Sequence, residues 1–331
     1  MTSKPSSTRR RLLTSGATLA AIPFLAPRAW AQNYPTRPIR VIVPFAPGGV
    51  VDVTARLLTQ KITERLGWSF IIDNKPGGNG FIAVTAAARS PGDGYTLLAA
   101  HTGEFAVNPA LFPAVPYDLE KDFSAITMIS DTPMLLVANS QQPYNTVAQL
   151  VKAARKSPAP LAFSSPGNGS INHLAGEWFA MEAGVKLLHV PYRGGAPAVA
   201  AVNSAEVPLG VVAIPAASPH LQSGRIKVLG LTTARRTPYN EEWAPAAEGG
   251  VKNLDASNWV GLFAPRSTPD AITKVLHAEV LKTLQQPDVV KRFAEAGATT
   301  GGMSSTDFVN RIRIDARRYK DIVQRANIRV E

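Results

Sequence analysis

The chain has 331 residues, with 35 lysines and arginines against 24 aspartates and glutamates, and no cysteine. That composition excludes disulfides, cysteine metal sites and the acceptor that a lipid anchor needs. The basic residues are scattered without interleaved aromatics, so no nucleic-acid partner is expected.

The first residues read as an export leader. "TRRRLL" (Thr8–Leu13) precedes a small, apolar run to Ala26 and then Ala29-Trp30-Ala31, the A-x-A pattern of a cleavage site. The run is too short to span a bilayer and is broken by Gly16 and Pro23. The paired arginines point to the twin-arginine route, with the general secretory route as the alternative. Residues 1–31 are therefore expected to be a signal peptide, leaving 331 − 31 = 300 residues for a soluble, periplasmic protein. The leader carries Lys4, Arg9, Arg10, Arg11 and Arg28 and no acid, so its removal lowers the formal charge from +11 to 11 − 5 = +6. A mildly basic exported chain suits an anionic small ligand. Its length exceeds one small domain, and 45% hydrophobic content can fill two cores. No linker separates them, so two lobes joined by several chain crossings are expected.

"IRVIVPF" (Ile39–Phe45) is nearly all apolar, as a strand covered on both faces should be. A turn with Gly48 and Gly49 follows, then a helix whose apolar stripe is Ala55, Leu58, Ile62 and Leu66, ended by Gly67. Asp52 falls in its first turn, where a carboxylate suits the helix dipole. "WSFIIDN" (Trp68–Asn74) is a second strand, "KPGGNG" (Lys75–Gly80) a glycine loop, and an alanine-rich helix runs to Ala88. "GYTLLAAHTG" (Gly94–Gly103) is a third strand entering a turn. Strands alternating with helices predict an α/β lobe with a parallel sheet.

The pattern repeats. "PLAFSSPGNGS" (Pro160–Ser170) is a strand ending in a Ser/Gly loop before the helix "INHLAGEWFAMEAG". "VKLLHVPYRGGAPAVAAV" (Val185–Val202) is strand, Pro-Tyr, Gly-Gly and helix, an echo of "RVIVPFAPGGVVDVTA". "KVLGLTTA" (Lys227–Ala234) and "WVGLFAP" (Trp259–Pro265) read as further strands. Thr268-Pro269-Asp270 reads as a helix start with a cap residue and proline at the first position, and a last helix begins near Thr306. Four glycine loops at the carboxyl ends of strands point to one cleft between the lobes. A helix N-terminus there can hold an anion through backbone N–H groups alone.

"YPTRPIRVIVPFAPGG", "NKPGGNG", "DGYTLL", "NPALF", "HVPYRGGAPA", "HLQSGRIKVLGLTTARR" and "GLFAP" occur across the chain from Tyr34 onward. Together they resemble the substrate-binding proteins of tripartite tricarboxylate transporters, the Bug receptors. The resemblance implies an α/β fold of the periplasmic binding protein type II kind, two lobes with a ligand cleft between them. It implies a receptor that closes on a small carboxylate and passes it to the membrane subunits of a transporter; a monomer without a cofactor is expected. The implied division is 32–130 for the first part of lobe 1, 131–234 for lobe 2, and 235–331 for a return segment mainly in lobe 1. On the first lobe, Phe45, Ala46, Pro47, Gly48, Gly49 and Asp52, with Gly77, Gly78, Asn79 and Gly80, are the implied ligand-binding positions. On the second they are Ser165, Gly169, Ser170, His173, Tyr192 and Gly194. Thr102 lies in a turn also expected at the cleft. Valine at Gly49 or Gly78 is expected to block ligand approach or strain the backbone.

Some positions depart from the family pattern. Val50 and Val51 stand where a hydroxyl pair is common, and Val212 where an acid is frequent, which predicts an apolar wall and poor citrate binding. Glu104 and Phe105 stand where a hydroxyl and a histidine are frequent, and Glu104 is either a contact to a ligand amine or a surface residue. The histidines at 101, 173, 189, 220 and 277 lack zinc-binding spacing, so no metal is expected. Ser170 in "GNGSI" is not a G-x-S-x-G elbow; it either caps the next helix or binds ligand. No catalytic residue is assigned. An exported hydrolase of small esters or amides and a ligand-binding protein that feeds a sensor are the alternatives.

Overall fold

The computed structural model describes residues 34–330 and the isolated Thr2, so the leader, Thr2 apart, lies outside the described residues. β1 (Ile39–Val43) pairs in parallel with β2 (Phe70–Asn74) and β3 (Thr96–His101). The apolar run of β1 is buried because helices cover both faces of this sheet. α1 (Val50–Leu66) buries Ala55, Leu58 and Ile62, whereas Leu66, expected on the same stripe, is exposed at the last turn. Gly67 ends α1 at φ +70. α2 (Phe81–Ala88) covers part of the other face and packs on β1 and β3.

After β3 come a wide helical turn at Gly103–Val107, the short helices α3 (Asn108–Leu111) and α4 (Leu119–Asp122), and β4 (Phe123–Asn139). Then follow α5 (Val147–Lys156), β5 (Leu161–Ser165), α6 (Ile171–Ala183), β6 (Leu187–Pro191) and α7 (Gly195–Asn203). β7 (Leu209–Ala213), α8 (Ile214–Gln222), β8 (Ile226–Leu231) and β9 (Ser257–Pro265) lead to the closing elements. These are α9 (Asp270–Leu284), α10 (Pro287–Glu295), β10 (Thr299–Thr300) and α11 (Ser305–Arg325). α9 begins one residue later than its sequence suggests: Pro269 is the cap position, and the buried Thr268 hydroxyl has no hydrogen-bond partner. Among the described residues no helix is long and apolar enough to cross a membrane.

The strand order is β2-β1-β3-β9-β4-β7-β5-β6, with β8 and β10 also on β4. The expected parallel pairs exist, but β9 and β4 run antiparallel to their neighbours, so the sheets are mixed rather than parallel. β4 decides the architecture. From Phe123 to Pro133 it pairs with β9; from Met134 on it pairs with β7, and from Leu135 with β8. One strand thus belongs to both halves of the molecule.

Strand direction then fixes where the loops go. β4 runs with β1–β3 and leaves the first half at the end where those strands finish. β7 runs against β4, with Met134 opposite Ala213, and β5 and β6 run with β7. The carboxyl ends of β5, β6 and β7 therefore point back to the crossover. The loops after β1, β2 and β3 form one bank, those after β5, β6 and β7 the other, and the two banks face each other across residues 131–134.

A second crossing lies beside the first. Thr232 donates its N–H to the Met134 carbonyl (3.0 Å), and its hydroxyl donates to the Ala256 carbonyl (2.7 Å). α11 makes a third link, with Phe308 against Trp259 and Phe263 and Tyr319 edge-on to Trp178 of α6. One hydrophobic core accordingly runs through both halves, from Phe105, Phe263 and Trp259 to Trp178 and Phe163. Separate cores lie on the α1 side of the first half and beneath α7 and α8 of the second.

Candidate functional site

The first bank begins with the turn between β1 and α1. Gly48 sits at φ +86 and donates its N–H to Asp52 Oδ2 (2.9 Å). Asp52, 2% exposed, also accepts from Arg56 Nε (3.0 and 2.9 Å to its two oxygens) and from Asn74 Nδ2 (2.9 Å). Asn74 closes the loop by donating to the Phe45 carbonyl (2.9 Å). Burial alone raises the Asp52 pKa, but the hydrogen bonds from Arg56, Gly48 and Asn74 outweigh it and the net shift is downward. Asp52 is a fixed anion that shapes the turn, with both carboxylate oxygens already engaged. The first N–H groups of α1, at Val50 and Val51, have no carbonyl within the helix to bond and carry the positive end of its dipole. Ala46, Pro47 and Gly48 are exposed beside them, with Gly49 and Phe45 half-buried.

The loop after β2 holds Gly77, Gly78, Asn79 and Gly80 at φ +110, +57, +51 and +84. Gly80 donates its N–H to the Gly77 carbonyl (3.1 Å), closing a tight turn whose glycine backbone a ligand can approach closely. Asn108 of α3 supports it by donating to the Asn79 carbonyl (2.8 Å), and Asn108 is itself 3.1 Å from the Tyr117 hydroxyl. Gly80 must be glycine on two counts, since a Cβ there would lie 2.8 Å from Glu104 Oε1.

Two candidates on this bank do other work. Glu104 is 1% exposed and its Oε2 is held by the His101 N–H (2.8 Å) and His101 Nδ1 (2.6 Å), so it is no free contact for a ligand amine. Thr102 is fully buried; its hydroxyl donates to the Ser257 carbonyl (3.2 Å) and accepts the Trp259 N–H (3.0 Å). It ties β3 to β9. His101, which sequence reasoning set aside, stands at the end of β3 with its ring 4.6 Å from that of Phe45. Its signal was its place as the last residue of a strand that opens onto a glycine turn.

On the second bank Ser170 caps α6, accepting the His173 N–H (3.2 Å) and donating to the Gly167 carbonyl (2.7 Å). Of the two roles open to Ser170, the cap is occupied. Gly169 donates its N–H to His173 Nδ1 (3.1 Å), which leaves the His173 ring proton on Nε2. The His173 ring stacks on His189 at 3.6 Å, nearly parallel. Burial, and then the neighbouring His173, push His189 down to about 3. Ser165 ends β5 with its hydroxyl 2.7 Å from His189 Nε2. Tyr192 and Gly194 donate their N–H groups to the carbonyls of Ser165 and Pro166 (both 3.0 Å), and the Tyr192 hydroxyl donates to Glu206 (2.8 Å). The expected residues of this bank are brought together, largely by bonds among themselves.

The banks touch at Gly169. A Cβ there would come within 2.7 Å of Val330 and 2.9 Å of Leu111 on α3, and Asn168 Nδ2 donates to the Arg329 carbonyl (2.9 Å). The apolar wall is different from the one expected. Val51 and Val212 are 1% and 0% exposed and belong to the cores of the two halves. Only Val50 lines open space, beside a cavity at the first turn. Gly49 also differs, with an ordinary extended backbone (φ −74) and room for a Cβ; the constrained glycine of that turn is Gly48.

Known proteins are similar to this chain in sequence and in fold. The model of the tripartite tricarboxylate transporter family receptor matches residues 54–328. Protein BugT of Bordetella pertussis is 33% identical over 88% of this chain and 89% of its own. The R. palustris protein Rpa4515, solved with adipate, superposes with a TM-score of 0.78 at 34% identity, over 89% of this chain and 99% of that one. MatC from Rhodopseudomonas palustris, solved with malate, gives a TM-score of 0.73 at 30% identity, over 88% and 100%. The chain belongs to the tripartite tricarboxylate transporter receptor family.

Proposed function

We propose that this receptor works in the periplasm as a monomer, closing its two banks on one small carboxylate and delivering it to the membrane subunits of a tripartite transporter. The observation that carries this reading is the left-handed run Gly77–Gly80 beside the open first turn of α1, two sets of backbone donors on one bank. Backbone amides suit the task because they are already oriented and cannot lose charge with pH. The candidate polar side chains nearby, Asp52 and Glu104, are engaged by the protein itself. Adipate in Rpa4515 and malate in MatC make carboxylates the first ligands to try. The lobes of this reading divide near residues 131–134 and 232–257. A hydrolase is disfavoured: Ser165, the serine that touches a histidine, is fully buried, and His189 at about 3 is a poor base near neutrality.

A carboxylate at a hundred times its dissociation constant should stabilise the protein by about 2.7 kcal/mol, a rise in Tm of several degrees. A thermal-shift screen of mono-, di- and tricarboxylates, with co-purified ligand identified by mass spectrometry, tests this. A panel without any shift, and no recovered carboxylate, would reject the receptor reading.

The geometry of the turn gives a sharper prediction. Gly48→Val forces a β-branched residue to φ +86 and should weaken binding at least about tenfold, whereas Gly49→Ala should bind as the wild type does. Calorimetry on both folded variants decides it. Equal affinity in Gly48→Val and wild type would remove the first turn from the site.

A further inference from the structure

A cavity of about 200 Å³ opens beside the first turn, on the α1 side of the crossover. Its edge is Gly48, where a side chain would meet nothing within 4 Å. Val50, Val53 and Leu57 line it from one face of α1, spaced by three and four residues. Phe293 of α10 lines it on another side, Thr132 lies at the crossover, and Pro215 at the start of α8 comes from the opposite half. Val53 is 44% exposed, an apolar side chain on a surface that no other element covers.

We propose that this cavity is a subsite for the apolar body of the carboxylate, either an unbranched chain or a phenyl ring. The inference rests on the carboxylate-receptor reading and adds the class of ligand. Three features support it. First, the cavity is continuous with Gly48, so a ligand whose carboxylate sits on the N–H groups of the turn can extend into it without leaving the protein. Second, no charged side chain is among its lining residues, and the Thr54 hydroxyl already faces Ser130 Oγ at 3.5 Å. A second carboxylate placed there would lose water and gain at most the Thr132 hydroxyl, whereas methylenes or a ring would be buried favourably. Third, the size is right: an apolar cavity of about 150 Å³ holds benzene, and this one is larger. Because Pro215 belongs to the other half, filling the cavity makes contacts with both halves and so favours the closed state.

The test is calorimetry of the purified protein against acetate, butanoate, hexanoate, octanoate and 3-phenylpropanoate. Affinity should rise by about threefold to fourfold per methylene until the cavity is full, a total of about a hundredfold or more across the series. 3-Phenylpropanoate should bind at least about tenfold more tightly than acetate. Ala296→Phe places a ring in the cavity and should collapse the ratio of octanoate to acetate affinity. Val53→Ser changes an exposed position, leaves the cores untouched, and should lower the same ratio. Acetate binding with a flat wild-type series overturns this inference alone. So does an unchanged ratio in both variants. A protein that answers to none of the five but binds a di- or tricarboxylate overturns this inference alone, and one that binds no carboxylate of the wider screen overturns the receptor reading with it.

Discussion

Arg311→Met is expected to destabilise the protein by about 3–5 kcal/mol, lowering Tm by roughly 10 °C. Arg311 projects from α11 into the crossover. Its Nε donates to Asp315 Oδ2 (2.9 Å) and its guanidinium reaches Ser257 Oγ (3.1 Å). Asp315 is 3% exposed and also accepts the Trp259 indole N–H (3.0 Å). Asp131, on the strand that joins the halves, has a buried Oδ1 without a hydrogen-bond partner. Burial raises the pKa of both carboxyls, against the pull of Arg311. Burial also works against the charge on Arg311, yet Asp315 and Asp131 hold its pKa above the ordinary value.

Methionine keeps much of the stem and removes the cation, leaving two carboxyls close together in a poorly hydrated place. They escape by taking up protons, which gives the penalty a direction with pH. In the variant their folded pKa values rise further above the unfolded ones. The stability they retain is then fully present below the unfolded pKa and is lost as pH rises through the folded value. The deficit of Arg311→Met should therefore be smaller near pH 4 than near pH 8, and Arg311→Met combined with Asp315→Asn should recover part of it. Urea denaturation at both pH values measures this. A loss under about 1 kcal/mol at pH 8 would mean that the network contributes little.

The second large effect is acid sensitivity from His189. Its pKa falls from 6.5 to about 3 on folding, first through burial and then through the His173 ring stacked on it. Above pH 6.5 both states are neutral and nothing is lost. Below 6.5 the unfolded chain takes up a proton that the folded one refuses, so stability falls by about 1.4 kcal/mol per pH unit until pH approaches 3. Between pH 6.5 and 4.5 the loss should reach about 2–3 kcal/mol. His189→Gln can still bond to Ser165 and does not titrate, so its stability should be nearly flat over that interval. Parallel pH profiles for variant and wild type would assign the acid limb to other groups.

Much of the secondary structure was legible because its causes are local. The apolar run of β1 asks for cover on both faces, α1 repeats at helical spacing, Ser170 caps α6, and Gly67 ends α1 at positive φ. The glycine loops were legible for the same reason: three glycines around Asn79 leave few other conformations, and the whole run is left-handed. Leu66 escaped the stripe: it is exposed on the last turn of α1, so helical spacing alone did not bury it.

The loops of the candidate site were legible, the engagement of their side chains less so. Thr102 and Glu104 carry polar groups at the right end of the right strand, and both are spent inside the protein. The partner of Thr102 is Ser257, 155 residues away on an antiparallel strand. No local window contains that strand, so the sequence around Thr102 cannot say that its hydroxyl is taken. Val51 and Val212 were misplaced likewise. The wall was expected because valines stand where the family pattern has polar residues, and only the packing of α1 and β7 shows that these two turn into cores.

By itself the sequence determined the strand–turn–helix units and the glycine turns, because each follows from side-chain sterics and hydrophobic period within about ten residues. It also carried, in ordered motifs, the membership of a receptor family. Tertiary structure alone decided that β4 crosses between the halves with Pro133 in mid-strand, that β9 returns antiparallel, and that the two sets of loops therefore meet. The reason is physical: strand direction and hydrogen-bond partners are settled between segments far apart in the chain. Whether a polar side chain in a loop is free for a ligand depends on which of those partners has already claimed it.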